Sequence, residues 1–161
     1  MHRVARRSEL ATDADTAWTR AISPAGVNAE LMPIVRMTMP RRLRGLDLSE
    51  FPVGEPAGRS WILLFGLIPV DYDDLCLVEL EPPRRFLERS RTLAFSVWEH
   101  ERLIEPLPGG GSVISDRIGF ELKPALRRVP AAAALSRAIV GFLFSHRHRR
   151  LRDTPAHEPH A

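Results

Sequence analysis

Two neighbouring segments in the second half of the chain place charged side chains on faces that are otherwise apolar. In the predicted strand 112–123, the alternation of residues puts Asp116 on the same face as isoleucine, phenylalanine and leucine side chains. In the predicted strand before it, His100 and Arg102 share one face. Burying a carboxylate costs free energy unless a positively charged group or a hydrogen-bond donor pairs with it. Because a short turn joins the two strands, we expect His100 or Arg102 to be the partner of Asp116.

Three interpretations of this group remain open from the residues alone. The group can orient a ligand carbonyl or hydroxyl in an apolar cavity, as polar residues in small-molecule sites commonly do. It can be a structural salt bridge without a ligand. It can also be catalytic, with His100 as a base supported by Asp116, and with Arg102 or Tyr72 stabilising an enolate.

A further histidine, His146, falls in the middle of the apolar face when the last helix is drawn as a wheel. It is either part of a cavity wall or an imidazole that is hydrogen-bonded locally near the helix end. The run 147–150 that follows is predicted to be a solvated helix end. His146 and His148 point to different faces, so we expect no metal site, and we expect no cofactor.

Several aromatic side chains can line the same space as these polar groups, although aromatic residues at such positions are often ordinary core. The residues predicted to line a ligand site are Trp18, Phe65, Tyr72, Trp98, His100, Arg102, Asp116, Phe120, Phe142 and His146.

The elements that must position these residues begin with a strand and two short helices. A strand is predicted over 4–10, and a helix through Ile22 is predicted to start with Thr12 as its cap and Asp15 at the third helical position. Ser23-Pro24 signals a second helix start, and Pro33 ends that segment.

Strands follow for most of the remaining chain. They are predicted over 34–39, 60–67, 72–81, 85–92, 95–107 and 112–123, with a long loop over 40–58. The turn at 108–111, with three consecutive glycines, predicts an antiparallel hairpin rather than a phosphate-binding loop.

The alanine-rich segment 131–151 is predicted to be the one long helix. Its wheel has a narrow polar arc, formed by Arg137, Gly141, Ser145, His148 and Arg152. More than half of its circumference is apolar, which predicts burial in a curved sheet or against a second subunit. The order of elements predicts an α+β domain over 1–152, followed by a disordered tail over 153–161.

Composition narrows the class of protein. The chain of 161 residues has 44% hydrophobic and 27% charged residues, which is the balance of one globular domain. The single Cys76 predicts a reducing, cytoplasmic setting. No apolar run reaches the length of a membrane span. The net charge is +3, and the arginines are scattered without a recognition motif, so nucleic-acid binding is not expected.

The sequence resembles the START-like superfamily, also called SRPBCC, in the order of its elements and in three segments. These are Trp98-Glu99-His100-Glu101-Arg102, then Asp116-Arg117-Ile118-Gly119-Phe120 after the glycine-rich turn, and finally Phe144-Ser145-His146-Arg147-His148-Arg149-Arg150-Leu151. The superfamily includes lipid-transfer domains, relatives of the birch pollen allergen, and bacterial polyketide cyclases and dehydratases. The resemblance implies a helix-grip fold: a curved antiparallel sheet around a long C-terminal helix, with a cavity entered near the two short helices.

The resemblance carries only His100, Asp116 and His146 onto places where polar groups recur in bacterial members, and no catalytic signature accompanies them. The leading hypothesis is therefore binding or carriage of a small hydrophobic or amphipathic molecule in an internal cavity, without catalysis. One alternative is a polyketide cyclase or dehydratase that uses the His100–Asp116 pair. The other is a homodimeric interaction module that uses the apolar face of the last helix or the segment 61–70.

Overall fold

The first strand of the sheet lies beside the last one, which curls the sheet around the C-terminal helix. The structure is a computed structural model that describes residues 1–46 and 48–154. Seven antiparallel strands form one sheet in the order β1-β7-β6-β5-β4-β3-β2. The predicted α+β helix-grip fold is therefore confirmed.

The elements follow one another in the predicted order, except that the short helix at Pro124–Arg127 was not predicted. They are β1 (His2–Leu10), α1 (Ala14–Ile22), α2 (Pro24–Leu31), β2 (Val35–Met37), β3 (Pro56–Leu64), β4 (Ile68–Glu81), β5 (Arg85–Thr92), β6 (Phe95–Pro106), β7 (Ser112–Leu122), α3 (Pro124–Arg127) and α4 (Ala132–Asp153). Single 3₁₀ turns at Arg41–Leu43 and Leu48–Glu50 interrupt the predicted long loop. Asp153 is still helical, and residues 155–161 of the predicted tail lie outside the described residues.

The two short helices start at capping side chains. Ser23 caps α2 by accepting a hydrogen bond from the Gly26 amide, as predicted. For α1 the predicted cap was wrong by one residue: Asp13, and not Thr12, accepts from the Thr16 amide. Thr12 is instead buried, and its carbonyl accepts a hydrogen bond from the Ser112 hydroxyl, which ties the start of α1 to β7.

The apolar run 61–70 is a hairpin rather than part of one strand. β3 ends at Leu64 and β4 begins at Ile68, so the predicted strand 60–67 ends early. Phe65 and Gly66 form the turn with positive φ angles of 52° and 75°. The side chains of the turn point to solvent, which explains how an apolar stretch can avoid the core.

Helix α4 buries a different face from the one its apolar pattern predicts. Its buried side chains are Val140, Phe144, His146, Arg147 and His148. Leu135, Ile139 and Phe142 are exposed. Residues of the predicted polar arc face β1, where Arg6 donates hydrogen bonds to the Ser145 hydroxyl and the Gly141 carbonyl. The prediction that the apolar face is the buried one was wrong, because polar partners on β1 form hydrogen bonds with the polar arc.

Two apolar clusters flank the polar interior. One lies between α1 and the sheet, with Trp18, Leu77, Phe86 and Ile114 among its members. The other lies between α4 and the far ends of β6 and β7, with Phe95, Ile118, Phe120, Val140 and Phe144 among its members. The space between the two clusters holds the candidate site.

Candidate functional site

The centre of the interior is an ion pair between Arg102 on β6 and Asp116 on β7. The two residues are register partners in the hairpin, and both side chains are fully buried. Arg102 donates from Nε to Oδ1 and from Nη2 to Oδ2, each at 2.8 Å. The predicted partnership is therefore confirmed, and it is bidentate, which is the strongest geometry for this type of pair.

Two histidines complete the coordination of Asp116. His100 Nε2 lies 3.1 Å from Oδ1, and His148 Nε2 lies 3.0 Å from Oδ2. Each carboxylate oxygen thus accepts two hydrogen bonds. Burial raises the pKa of Asp116, but the charge and hydrogen bonds of Arg102 and His100 lower the pKa more, and the net result is well below the usual value.

A second carboxylate, Glu30 on α2, balances the remaining positive charge. Arg102 donates to both of its oxygens at 2.9 and 3.0 Å, and Arg147 on α4 donates twice to Oε2. Burial raises the pKa of Glu30, and the charges of Arg102 and Arg147 outweigh burial and lower it. The two arginines and two carboxylates therefore form a charge-balanced network that joins α2, α4 and the sheet.

His148 links this network to β1. Its Nδ1 lies 2.9 Å from the Ser8 hydroxyl, which also accepts a hydrogen bond from Arg152 at 2.8 Å. An imidazole with its proton on Nε2 fits this arrangement, because Nδ1 then accepts from Ser8 while Nε2 donates to Asp116. Arg147 and His148 were expected in a solvated helix end, and that expectation was wrong because both are buried against charged partners.

The apolar hollow expected directly beneath α4 is occupied by this network. An inward-facing pocket of about 90 Å³ lies instead between α1–α2 and strands β2 to β6. Residues of both short helices line it, and the resemblance placed the entrance of the cavity near these helices. The residues that line it are Ala21, Ile22, Pro24, Val27, Asn28, Met37, Thr38, Met39, Phe51, Ser60, Leu75, Phe86, Glu88, His100 and Arg147.

The pocket has apolar walls and a small set of polar groups at its base. Glu88 and His100 are register partners on β5 and β6, and both face inward. His100 uses Nε2 toward Asp116, so Nδ1 is the ring nitrogen left for a ligand. Arg147 also lines the pocket, but its guanidinium is held by Glu30. Small-molecule sites typically combine apolar walls with a few placed polar groups of this kind.

Glu88, which lines the pocket, has a second acidic side chain, Asp73, as its neighbour. Asp73 on β4 is buried, and its Oδ1 has no hydrogen-bond partner within the described residues. Burial and the neighbouring Glu88 raise the pKa of Asp73 well above its usual value. Ser90 donates to Glu88 at 2.7 Å. The charge of Glu88 therefore favours the protonated form of Asp73.

Of the residues predicted to line the ligand site, His100 lines the pocket, and Arg102 and Asp116 lie beneath it. Trp18, Trp98 and Phe120 pack in the two apolar clusters. His146 is buried, but its Nε2 donates to the Met32 carbonyl at 3.0 Å, so it holds α4 to the end of α2.

Three predicted lining residues lie away from the interior. Phe65 is 63% exposed in the β3–β4 turn, and Phe142 is 59% exposed on the outer face of α4. Tyr72 points to the opposite face of β4 from Asp73 and packs against Trp61. The prediction that these residues line an internal cavity was wrong, because the hairpin turn, the outer helix face and the outer face of β4 direct them away from the interior.

The predicted site did not include Ser60, Asp73 and Glu88, although the sequence held a signal for the two acidic residues. Alternation places Glu88 on the same face as the buried Phe86, and Asp73 on the same face as Leu75. Glu30 and Arg147 had no comparable signal, because α2 is too short and mixed to predict which side faces α4.

No helix in the described part of the chain is long and apolar enough to cross a membrane. Within residues 1–46 and 48–154, no group of three or more histidine, cysteine, aspartate or glutamate side chains is arranged to hold a metal ion.

Comparison with known proteins agrees with this architecture. A family model described as Domain of unknown function (DUF8410) matches residues 8–154. A search of curated proteins found no match. A solved structure from Chromobacterium violaceum superposes with a TM-score of 0.70 at 13% identity, covering 98% of this chain and 100% of that one.

Two further solved structures with a similar fold are a START superfamily protein and a protein from a biosynthetic locus. A START superfamily protein from Mycobacterium smegmatis has a TM-score of 0.60 at 13% identity, covering 94% of this chain and 97% of that one. DynU16, a protein from the dynemicin biosynthetic locus, has a TM-score of 0.56 at 15% identity, covering 94% of this chain and 47% of that one. At these identities the likeness establishes a START-like fold.

Proposed function

Because the chain belongs to the DUF8410 family and has a START-like fold, we propose that it binds a small, mainly apolar molecule in the pocket between α1–α2 and the sheet. The observation that carries this proposal is the convergence of Glu88 and His100 at the base of a pocket with apolar walls. Binding requires no catalysis. The fold of START-like proteins supports such a site but does not identify its ligand.

The size of the pocket restricts the ligand. A volume of about 90 Å³ holds several water molecules, whereas a cavity of roughly 150 Å³ holds benzene. Sites for drug-sized ligands have roughly 300–1,000 Å³. We therefore expect a ligand of a few heavy atoms, or the terminal group of a larger molecule that extends past α2 into solvent.

A substitution that fills the pocket tests the proposal. Val27 on α2 lines the pocket, and Ala25 on the same helix is exposed and does not. Val27→Trp is expected to abolish the amide chemical-shift changes that isobutanol causes around the pocket, while Ala25→Trp retains them. If isobutanol produces no saturable shifts at pocket residues of the natural protein, the proposed function is wrong.

A second candidate is cyclase- or dehydratase-like proton abstraction from a carbonyl compound. The observation that favours it is the His100–Asp116 hydrogen bond, because Asp116 orients a ring whose other nitrogen is left toward the pocket. His100 would take a proton from the carbon beside the carbonyl group, and the electron pair would move to the carbonyl oxygen as an enolate.

Hydrogen–deuterium exchange tests this chemistry directly. The natural protein should accelerate the exchange of the α-protons of butanone in D₂O, followed by ¹H NMR, and His100→Gln should abolish the acceleration. His146→Gln is the matched control, because His146 lies outside the pocket lining. Equal rates with and without the natural protein would exclude this activity for small ketones.

Self-association is a third candidate, favoured by three exposed apolar side chains on the outer face of α4. Leu135, Ile139 and Phe142 are spaced along one side of the helix and are each more than half exposed. Light scattering should give twice the chain mass of 18.1 kDa for the natural protein and the monomer mass for Ile139→Glu. A monomer mass for the natural protein at high concentration would remove this candidate.

A further inference from the structure

The acid pair formed by Asp73 and Glu88 lies on the concave face of the sheet, with Glu88 in the pocket lining and Asp73 next to residues that line it. Glu88 is one of the lining residues. Asp73 pairs with Ser60 in the β3–β4 register and shares its strand face with Leu75, and both Ser60 and Leu75 line the pocket. Asp73 is 4% exposed, and its Oδ1 lacks a partner within the described residues. A donor is therefore missing on this side of the pocket.

The charges around the pair leave it electrically uncompensated. The neighbouring network balances Arg102 and Arg147 with Glu30 and Asp116. In the described part of the chain, no arginine or lysine lies within salt-bridge distance of Asp73 or Glu88.

Other charged and titratable groups near the pair do not supply the missing cation. His100 on β6 uses Nε2 toward Asp116, Arg147 on α4 is held by Glu30, and Asp71 on β4 adds negative charge. The acid pair therefore lies beside apolar walls without a cationic side chain of the described residues paired to it.

We propose that the pocket selects a protonated primary amine with a short apolar chain. Its ammonium group donates hydrogen bonds to Asp73 and Glu88, and the hydroxyl of Ser60 is a third acceptor on the same wall. Its alkyl chain contacts the apolar side chains of Ile22, Val27 and Phe86, which lie on the pocket wall. This inference rests on the proposed binding function and adds the chemical class of the ligand.

Three ligands of the same shape and different charge test the inference. Isobutylamine, isobutanol and isobutyrate are titrated separately at pH 7 into ¹⁵N-labelled protein, and dissociation constants are taken from amide shifts at pocket residues. We expect isobutylamine to bind about tenfold more tightly than isobutanol, because a hydrogen bond to a charged group contributes more than a neutral one. Isobutyrate should bind most weakly of the three.

Variants of the acid pair identify the cause of the preference. Glu88→Gln should reduce the preference for the amine over isobutanol to within about twofold. Asp73→Asn should act in the same direction. Glu99→Gln is the matched control, because Glu99 lies on β6 in an ion pair with Arg89 outside this pocket, and it should keep the full preference.

The outcomes separate this inference from the function on which it rests. If isobutanol binds in the pocket and isobutylamine binds no more tightly, the amine inference is overturned and small-molecule binding stands. Preference for isobutyrate, or a preference for the amine that persists in Glu88→Gln and Asp73→Asn, also overturns it. If none of the three ligands perturbs pocket residues, both statements are overturned.

Discussion

Glu88 on β5 and His100 on β6 lie directly opposite each other in the sheet, and both side chains face the same pocket. His100 contacts the buried ion network through Asp116, whereas Glu88 forms the acid pair with its neighbour Asp73. The pairing of these two residues therefore places the charge-balanced network on the β6 side and the uncompensated carboxyl pair on the β5 side. The two groups should respond differently to mutation and to pH.

Removing the charge of Asp116 should strongly destabilise the fold. Asp116→Asn removes one of the two buried carboxylates that Arg102 pairs with, and it turns an amide group toward side chains that donate hydrogen bonds. Breaking a buried ion pair on one side typically costs about 3–5 kcal/mol, and we expect a loss in that range from urea denaturation. The control Glu99→Gln breaks a partly exposed pair with Arg89 and should cost less than about 1 kcal/mol. A similar loss for the two variants would contradict the central role of Asp116.

Asp73 should make the protein less stable as the pH rises. Its pKa is raised in the folded protein by burial and by Glu88, so the folded state holds the proton more strongly than the unfolded state does. The stabilising contribution of the protonated form is fully present below the unfolded pKa and is lost as the pH rises through the folded pKa. Asp73→Asn should therefore raise the free energy of unfolding by about 1 kcal/mol or more at pH 8, and by less at pH 4.

Urea denaturation of both proteins at the two pH values checks this sign. Glu30 and Asp116 also titrate in acid, but they are present in both proteins, so their contribution cancels in the difference. A larger stabilisation by Asp73→Asn at pH 4 than at pH 8 would mean that the pKa of Asp73 is not raised.

Substitutions at two glycines in the β6–β7 turn should distinguish the effect of backbone strain from that of a steric clash. Gly109 and Gly111 have φ angles of 87° and 83°, so alanine is strained at either position by about 1 kcal/mol. A Cβ at Gly111 would lie 2.5 Å from the Leu10 carbonyl oxygen, whereas a Cβ at Gly109 meets nothing within 4 Å. Gly111→Ala should lower the free energy of unfolding by at least about 1 kcal/mol more than Gly109→Ala. Equal losses in thermal or urea unfolding would place Leu10 farther from the turn than the structure does.

Phe65 should be dispensable for stability despite its size. It is exposed in a turn with a positive φ angle, a conformation that asparagine adopts more readily than phenylalanine. Phe65→Asn should change the free energy of unfolding by no more than about 0.5 kcal/mol. The buried Phe86, replaced by alanine as a control, should cost about 3–5 kcal/mol. If Phe65→Asn lowered the free energy of unfolding by more than about 2 kcal/mol, Phe65 would have to be buried in the interior.

Local patterns were enough to predict the order of elements and one part of the site. Proline, capping residues and the glycine-rich turn are read within a few residues, so both short helices and the β6–β7 hairpin were predicted close to their observed bounds. The hairpin also fixes which residues oppose each other, and this is why His100 or Arg102 was predicted to be the partner of Asp116. The same alternation on β4 and β5 held the signal for Asp73 and Glu88.

The rest of the site was decided by contacts between distant elements. Glu30 meets Arg102 across 72 positions and Arg147 across 117, and His148 meets Ser8 across 140. A helical wheel tells which residues of α4 share a face, but not which face meets compensating charges. For this reason the polar arc of α4 turned toward β1, while Leu135, Ile139 and Phe142 stayed exposed. The cost of burying a charge depends on the partners that packing brings to it, and only the tertiary structure supplies those partners.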